Sequence, residues 1–202
     1  TPRPGLDASW RAGFKAWEVS VRRCAAGEFG AIHDWKTTRT VPGTDYQIWN
    51  TPWSTLSKLR QASGPFLRLS DIVERIPSNV VLAIDHKTTS SQDQKNKGAF
   101  GGHPERRVLW KTFAKGTSSA RAKARGYMTM AMLYPNELAS VKLSQWDVLG
   151  MEWNARPEAW SALKAAKRPT IAHIITNPGQ AKQALAAGAT GLMVSSPSKV
   201  HP

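Results

Sequence analysis

A single cysteine, Cys24, serves the whole chain of 202 residues, so no disulfide can close within it and no cysteine–histidine cluster suggests zinc. The lone thiol leaves the redox compartment open, and at a turn between two apolar runs it reads as incidental. No apolar run approaches the roughly 20 residues that span a bilayer, so there is no transmembrane segment. No Gly-rich loop of the nucleotide type is present. A leader is not visible at Thr1, although processing removes such segments and its absence decides little. Acidic residues are scarce: 14 Asp and Glu stand against 28 Lys and Arg, for a formal charge of +14. A surface of that sign gathers anionic partners within a screening length of about 8 Å at physiological salt. Phosphodiesters, teichoic acids, anionic lipids and nucleic acid all qualify. The basic bursts at Arg22-Arg23, Arg106-Arg107 and Arg121, Lys123 and Arg125 carry no fingerprint of a zinc finger or RNA-recognition sheet, so nucleic acid has no specific motif behind it.

Tyrosine and phenylalanine are sparse as well, three and five residues, whereas tryptophan numbers nine. Indole brings a large buried area wherever it lands, and most of the nine are expected in core or rim packing. Trp35, Trp49 and Trp53 form a cluster in one Pro-, Thr- and Gly-containing loop, which could offer an aromatic wall to a glycerol or sugar moiety.

A hydrophobic content of 41% over this length suits one domain over residues 1–202 with a substantial core. Short apolar runs alternate with helical patterns throughout. Strands are expected at 16–21, 80–86, 108–113, 127–133, 146–152, 170–175 and 189–194, with residues 28–33 as the returning arm of a hairpin. Helices are expected at 55–60, 69–75, 118–125, 157–167 and 179–187. Asn177-Pro178-Gly179 is a helix entry and Gly188 a helix stop. Strict alternation implies a parallel sheet, and seven strands are one short of a closed (β/α)8 barrel.

The first hairpin carries the chemistry. Residues 16–21 and 29–34 flank a turn at Cys24-Ala25-Ala26-Gly27, and a register in which paired numbers sum to 52 sets Glu18 opposite Asp34 and Val19 opposite His33. Acid, imidazole and acid would then share one patch.

Glu18-Val19-Ser20, Gly27, His33-Asp34 and Arg39-Thr40 stand in an order that resembles the front of the glycerophosphodiester phosphodiesterase family, with its Glu-x-Asp strand, glycine turn, His-Asp pair and Arg-Thr. Pro65 through Val73 resembles the family's segment before its next helix, and Val81-Leu82-Ala83-Ile84-Asp85-His86-Lys87-Thr88 its Glu-x-Lys strand. Ile175-Thr176-Asn177-Pro178 and Gly188 through Pro197 resemble its last two strands. The resemblance implies an α/β TIM (β/α)8 barrel of the phosphodiesterase type with the first strand missing from this chain. Either the polypeptide is longer or trimmed and the strand lies outside this sequence, or a neighbouring chain would cover the open edge.

It also implies a site. In the family a divalent cation, Mg²⁺ or Ca²⁺, is held by the acids of Glu-x-Asp and Glu-x-Lys, and two histidines serve as general acid and base. Here Glu18 and Asp85 match two metal ligands, with Asp85 one methylene shorter than the family's Glu. Ser20 replaces the third ligand, and a neutral hydroxyl binds a hard cation poorly, so affinity for the divalent cation is expected to fall or be lost. His33 matches the second histidine and would protonate the leaving alkoxide. The first histidine has no equivalent in these residues. Lys87 would meet a non-bridging phosphate oxygen, while Arg39 and Trp35 would contact substrate. Simpler readings stay open: Glu18 and Lys87 as an ion pair, His33 as a structural residue, Arg39 as a loop anchor, Glu152 as a surface acid, His86 and His173 as structural histidines, and His103 in a mobile loop spanning 98–107.

The implied substrates are phosphodiester-containing lipid headgroups or cell-wall polymers. Versions of the family fold occur as domains of actinobacteriophage tail proteins, so a non-catalytic host-binding or structural module of a virion, extracellular or virion-associated, is the alternative the resemblance carries.

Overall fold

The computed structural model describes residues 3–87, 107–116, 118–195 and 197–200. The expected loop at 98–107, with His103, lies outside the described residues except for its last position. The chain divides into two compact units, Thr1–Leu109 with Ala124–Tyr127, and Trp110–Lys123 with Met128–Pro202.

The first unit opens with helix α1 (Arg3–Arg11) and strand β1 (Ala16–Arg23), which turns at Cys24 into the two-residue strand β2 (Phe29–Gly30). A short helix α2 (Trp53–Leu56), a small hairpin of β3 (Arg60–Gln61) and β4 (Gly64–Pro65), helix α3 (Leu69–Arg75) and strand β5 (Val81–His86) follow. β1 alternates strictly. Trp17, Val19 and Val21 are buried, whereas Glu18, Ser20 and Arg22 are half-buried on the other face. β5 lies parallel to β1, with Glu18 beside Ala83, Ser20 beside Asp85 and Val21 beside His86.

The hairpin register is the expected one where pairing exists, Arg22 with Gly30 and Arg23 with Phe29, but the ladder stops there. Gly30 then bridges to Arg68, and the Ala31 amide donates to the Leu67 carbonyl. The expected cross-strand partnership of Glu18 with Asp34 and Val19 with His33 therefore does not form, because the returning arm changes partners after two residues. Glycine is needed at that crossing. A Cβ at Gly30 would sit 2.9 Å from Ile32 and 3.0 Å from the Trp53 ring. Trp53 itself is buried with Cys24, Ile32, Val41, Ile48, Leu56 and Phe66, so it belongs to the core and not to an aromatic wall. Burial also pushes the Cys24 thiol up to about 11, which fits an unreactive thiol.

The second unit takes up β6 (Val108–Phe113) and runs through α4 (Ser118–Ala124), β7 (Met128–Met132), β8 (Val148–Glu152), α5 (Pro157–Ala165), β9 (Thr170–Ile175), α6 (Pro178–Ala187) and β10 (Gly191–Val194). The order β6-β7-β8-β9-β10 is sequential, and the pairs β7/β8, β8/β9 and β9/β10 are parallel. Leu149, Met151, Trp146, Trp160, Leu163, Ala172 and Ala184 make a core in which the strands meet their helices. Asp147, between β7 and β8, accepts from the amide and hydroxyl of Thr129. α6 is capped as expected: the Asn177 side chain accepts the Gln180 amide, and Gly188 takes a left-handed conformation at φ 113°.

Candidate functional site

Two strand ends and one loop build the site, all within the first unit. Glu18, Ser20 and Arg22 project from one face of β1, and the parallel register sets Asp85 beside Ser20. The Lys87 amide donates to the Val21 carbonyl, which carries the pairing one step further and puts Lys87 level with Arg22. The face thus reads, from base to rim, Glu18 beside Ala83, Ser20 beside Asp85, and Arg22 beside Lys87.

Charge on this face is largely balanced internally. Lys87 Nζ donates to Asp85 Oδ2 at 2.7 Å, and both side chains are largely buried. Lys87 thus has Asp85 as a partner on its own strand end. Arg22 Nε donates to the His33 carbonyl at 2.9 Å, which ties the loop after β2 onto the strand face. Burial pulls the Arg22 pKa down, while Asp34 and Asp85 oppose that shift. Among the described residues the Arg22 Nη nitrogens make no further hydrogen bond, so the guanidinium fork is available to an incoming anion.

The loop holds the other candidates. Arg39 makes two bonds to Asp34, Nε to Oδ2 at 2.6 Å and Nη2 to Oδ1 at 3.0 Å, and His33 Nδ1 lies 2.8 Å from Asp34 Oδ1. The Arg39 guanidinium, helped by His33, holds the Asp34 carboxyl down to about 2. Asp34 thereby fixes the imidazole and leaves its Nε2 edge outward, on a side chain 67% exposed. Arg39 is committed to Asp34, consistent with an anchoring role. Trp35 is 58% exposed, with the Lys36 ammonium 5.1 Å from its ring centroid.

The residues present do not suit a divalent cation. Asp85 is neutralised by Lys87, Ser20 contributes no charge, and Arg22 adds a cation to the same face. Among the described residues no group of three or more His, Cys, Asp or Glu side chains is placed to hold a metal ion.

Sequence reasoning counted Arg22 only as part of a basic burst. Its signal was available: in a strand, residue 22 shares the face of residues 18 and 20. In the second unit, Glu152 and His173 are register partners on β8 and β9. Burial, with Lys111 adding to it, lowers the His173 pKa to about 4, so its ring is neutral near pH 7.

No protein-family model and no curated protein matches the sequence. In fold the chain is similar to solved structures that are consistently glycerophosphodiester phosphodiesterases. The enzyme from Agrobacterium tumefaciens superposes with a TM-score of 0.76 at 15% identity, over 96% of this chain and 90% of that one. The Thermotoga maritima enzyme gives 0.76 at 16% identity, over 94% and 86%. A phosphodiesterase from Oleispira antarctica, solved with its product sn-glycerol-3-phosphate, gives 0.76 at 18% identity, over 95% and 85%. The fold is therefore the α/β TIM barrel of these phosphodiesterases, as the sequence motifs imply.

Proposed function

We propose that this chain is a glycerophosphodiester phosphodiesterase-like domain that binds a phosphodiester or its glycerophosphate product and hydrolyses it weakly or not at all. The observation that carries the reading is the pairing of Arg22 with Lys87 at the rim of the strand face, above Ser20 and a neutralised Asp85. Such a face offers a forked guanidinium and an ammonium to non-bridging phosphate oxygens, each capable of charge-assisted hydrogen bonds. The outward Nε2 of His33 can donate to a third oxygen or protonate a leaving alkoxide. In this reading His33, Lys87 and Arg22 meet the substrate with Trp35 beside them, Arg39 anchors Asp34, and Glu18 and Asp85 shape charge more than they hold metal. Lipid headgroups and cell-wall polymers carry the required chemistry. A host-binding module of a phage tail, as in the tail domains that share this fold, is the same reading with catalysis lost altogether, and Ser20 favours it.

The test is binding and turnover together. Titration calorimetry with sn-glycerol-3-phosphate should show an affinity that Arg22→Met or Lys87→Met weakens by about 10- to 100-fold, the size of one charge-assisted bond. With Mg²⁺ or Ca²⁺ present, hydrolysis of glycerophosphocholine or bis-p-nitrophenyl phosphate should be very slow and should vanish in His33→Ala. Brisk turnover unaffected by that change, or unaltered binding in both methionine variants, overturns the assignment.

A further inference from the structure

The loop after the His33-Asp34 pair displays aromatic rings to solvent from a rigid frame. Trp35 is 58% exposed, Trp49 61% and Tyr46 42%. The frame is not a floppy tip. Lys36 and Gln47 form an antiparallel bridge, the Ile48 amide donates to the Trp35 carbonyl, and the Thr37 amide donates to the Tyr46 carbonyl. Thr37 is fully buried, and its hydroxyl oxygen accepts from both the Thr44 hydroxyl at 2.7 Å and the Tyr46 amide at 2.9 Å. Asp45 takes Lys36 and Thr38. Ile48 anchors the second arm in the core at 0% exposure. A loop this well bonded could have turned its indoles inward, as it does Trp53 just beyond. Instead two tryptophans and a tyrosine stand in water, at the hydrophobic penalty that such exposure carries.

We infer that this loop is an interfacial anchor that seats the protein on an anionic phospholipid bilayer, with Trp35, Tyr46 and Trp49 entering the headgroup layer. Three observations favour a bilayer. Tryptophan and tyrosine, with an apolar body and a polar edge, are the side chains that partition to the headgroup level. The chain carries +14, the sign that an anionic leaflet attracts. The Trp35 ring already has the Lys36 ammonium over one face, an arrangement suited to a headgroup phosphate beside the indole and poorly suited to stacking on a sugar. Among the described residues no helix is long and apolar enough to cross a membrane; the loop itself would seat in the headgroup layer without crossing it. The docking stands on the loop alone. It rests on the proposed phosphodiester reading only for what the bilayer then presents to Arg22 and Lys87.

The experiment is co-sedimentation with vesicles of phosphatidylcholine containing about one-third phosphatidylglycerol, alongside calorimetry with soluble sn-glycerol-3-phosphate. The paired change Tyr46→Ala and Trp49→Ala touches neither Arg22 nor Lys87. It should lower vesicle affinity about tenfold or more and leave glycerophosphate binding unchanged. Lys87→Met should do the reverse, which separates failure of the anchor from failure of the site. Should the alanine variant unfold, Trp49→Phe keeps the core intact. Quenching of tryptophan fluorescence by vesicles of brominated lipid should then fall relative to the parent chain. Equal vesicle affinity in parent and alanine variant overturns the inference, as does quenching unchanged by Trp49→Phe. Loss of binding to a soluble cell-wall oligosaccharide with vesicle binding intact assigns the aromatics to carbohydrate and overturns it too.

Discussion

Replacing Ser20 with aspartate and Lys87 with glutamine should convert the strand face into a cation site. Ser20 and Asp85 are register partners on adjacent parallel strands, so their backbones lie about 4.8 Å apart. Lys87 now holds Asp85 at 2.7 Å, and its replacement removes that ammonium from the carboxylate. Glu18, one step down the same face, supplies a third. A site of a few flexible carboxylates binds Ca²⁺ with a dissociation constant of about 1 mM. At about 10 mM Ca²⁺ the native state then gains RT ln 11, about 1.4 kcal/mol. For a chain of this size that raises the melting temperature by about 3–6 °C. Without Ca²⁺ the double variant should melt lower than the parent, since adjacent acids repel across strands by about 0.2–1 kcal/mol per pair. The assay is thermal melting followed by circular dichroism, with and without the cation, in parent and variant. The parent should shift by less than about 1 °C, on the same conversion. A parent that shifts as far as the variant would show that Glu18 and Asp85 hold a cation despite Lys87 and Arg22. A variant that does not shift would show that the three carboxylates fail to converge.

Two pH effects occupy separate windows. His173 is neutral in the folded chain, with its pKa lowered to about 4 from 6.5, whereas the unfolded ring takes a proton below about 6.5. Stability should therefore fall as pH drops from 6.5 toward 4 and level off below, by about 2 kcal/mol once water access to the ring is allowed for. Denaturant melts should show His173→Gln flat across that window; an equal slope in that variant removes His173 as the cause. Asp34 acts lower. Its folded pKa of about 2 lies under the ordinary 3.8, so the stability it contributes is present above 3.8 and disappears as pH falls through about 2. In Arg39→Met the Asp34 carboxyl, followed by NMR, should titrate well above 2, toward the ordinary 3.8; a value that stays near 2 would reassign the shift from Arg39 to His33.

Strands whose partners lie on both sides were legible because they are short, apolar and bounded by turns. Residues 108–113 and 170–175, and helix 69–75, occupy the expected positions residue for residue. The returning arm of the first hairpin was not. Local alternation gives its register correctly at Arg22 and Arg23, yet a sequence cannot announce that Leu67 and Arg68, nearly forty positions on, compete for Gly30 and Ala31 and win. The same long-range capture draws Trp53 into the core beneath Gly30, while Trp35 and Trp49, alike in sequence, stay outside.

The site divides along a similar line. Motif order puts Glu18, Asp85 and Lys87 on two neighbouring strand ends, because a strand's period of two and a two-residue step decide which side chains share a face, whereas His33 lies on the loop after β2. What motif order cannot settle is the sign of the field there. That depends on which cation each acid meets, and acids here are outnumbered. Asp85 is a methylene short of a glutamate, so its carboxylate stays near the strand, where the long Lys87 side chain can fold back to 2.7 Å. Arg39 takes Asp34 by the same arithmetic of few acids and many bases. Asp34, Asp85 and Glu28, which meets Arg68, are thus neutralised from within the chain. Arg22 is held by one bond to the His33 carbonyl, from its Nε. A face built for a cation would leave its carboxylates unpaired and keep guanidinium away. This one pairs Asp85 with Lys87 and sets Arg22 beside it, which is what the proposed binding of an anion rests on.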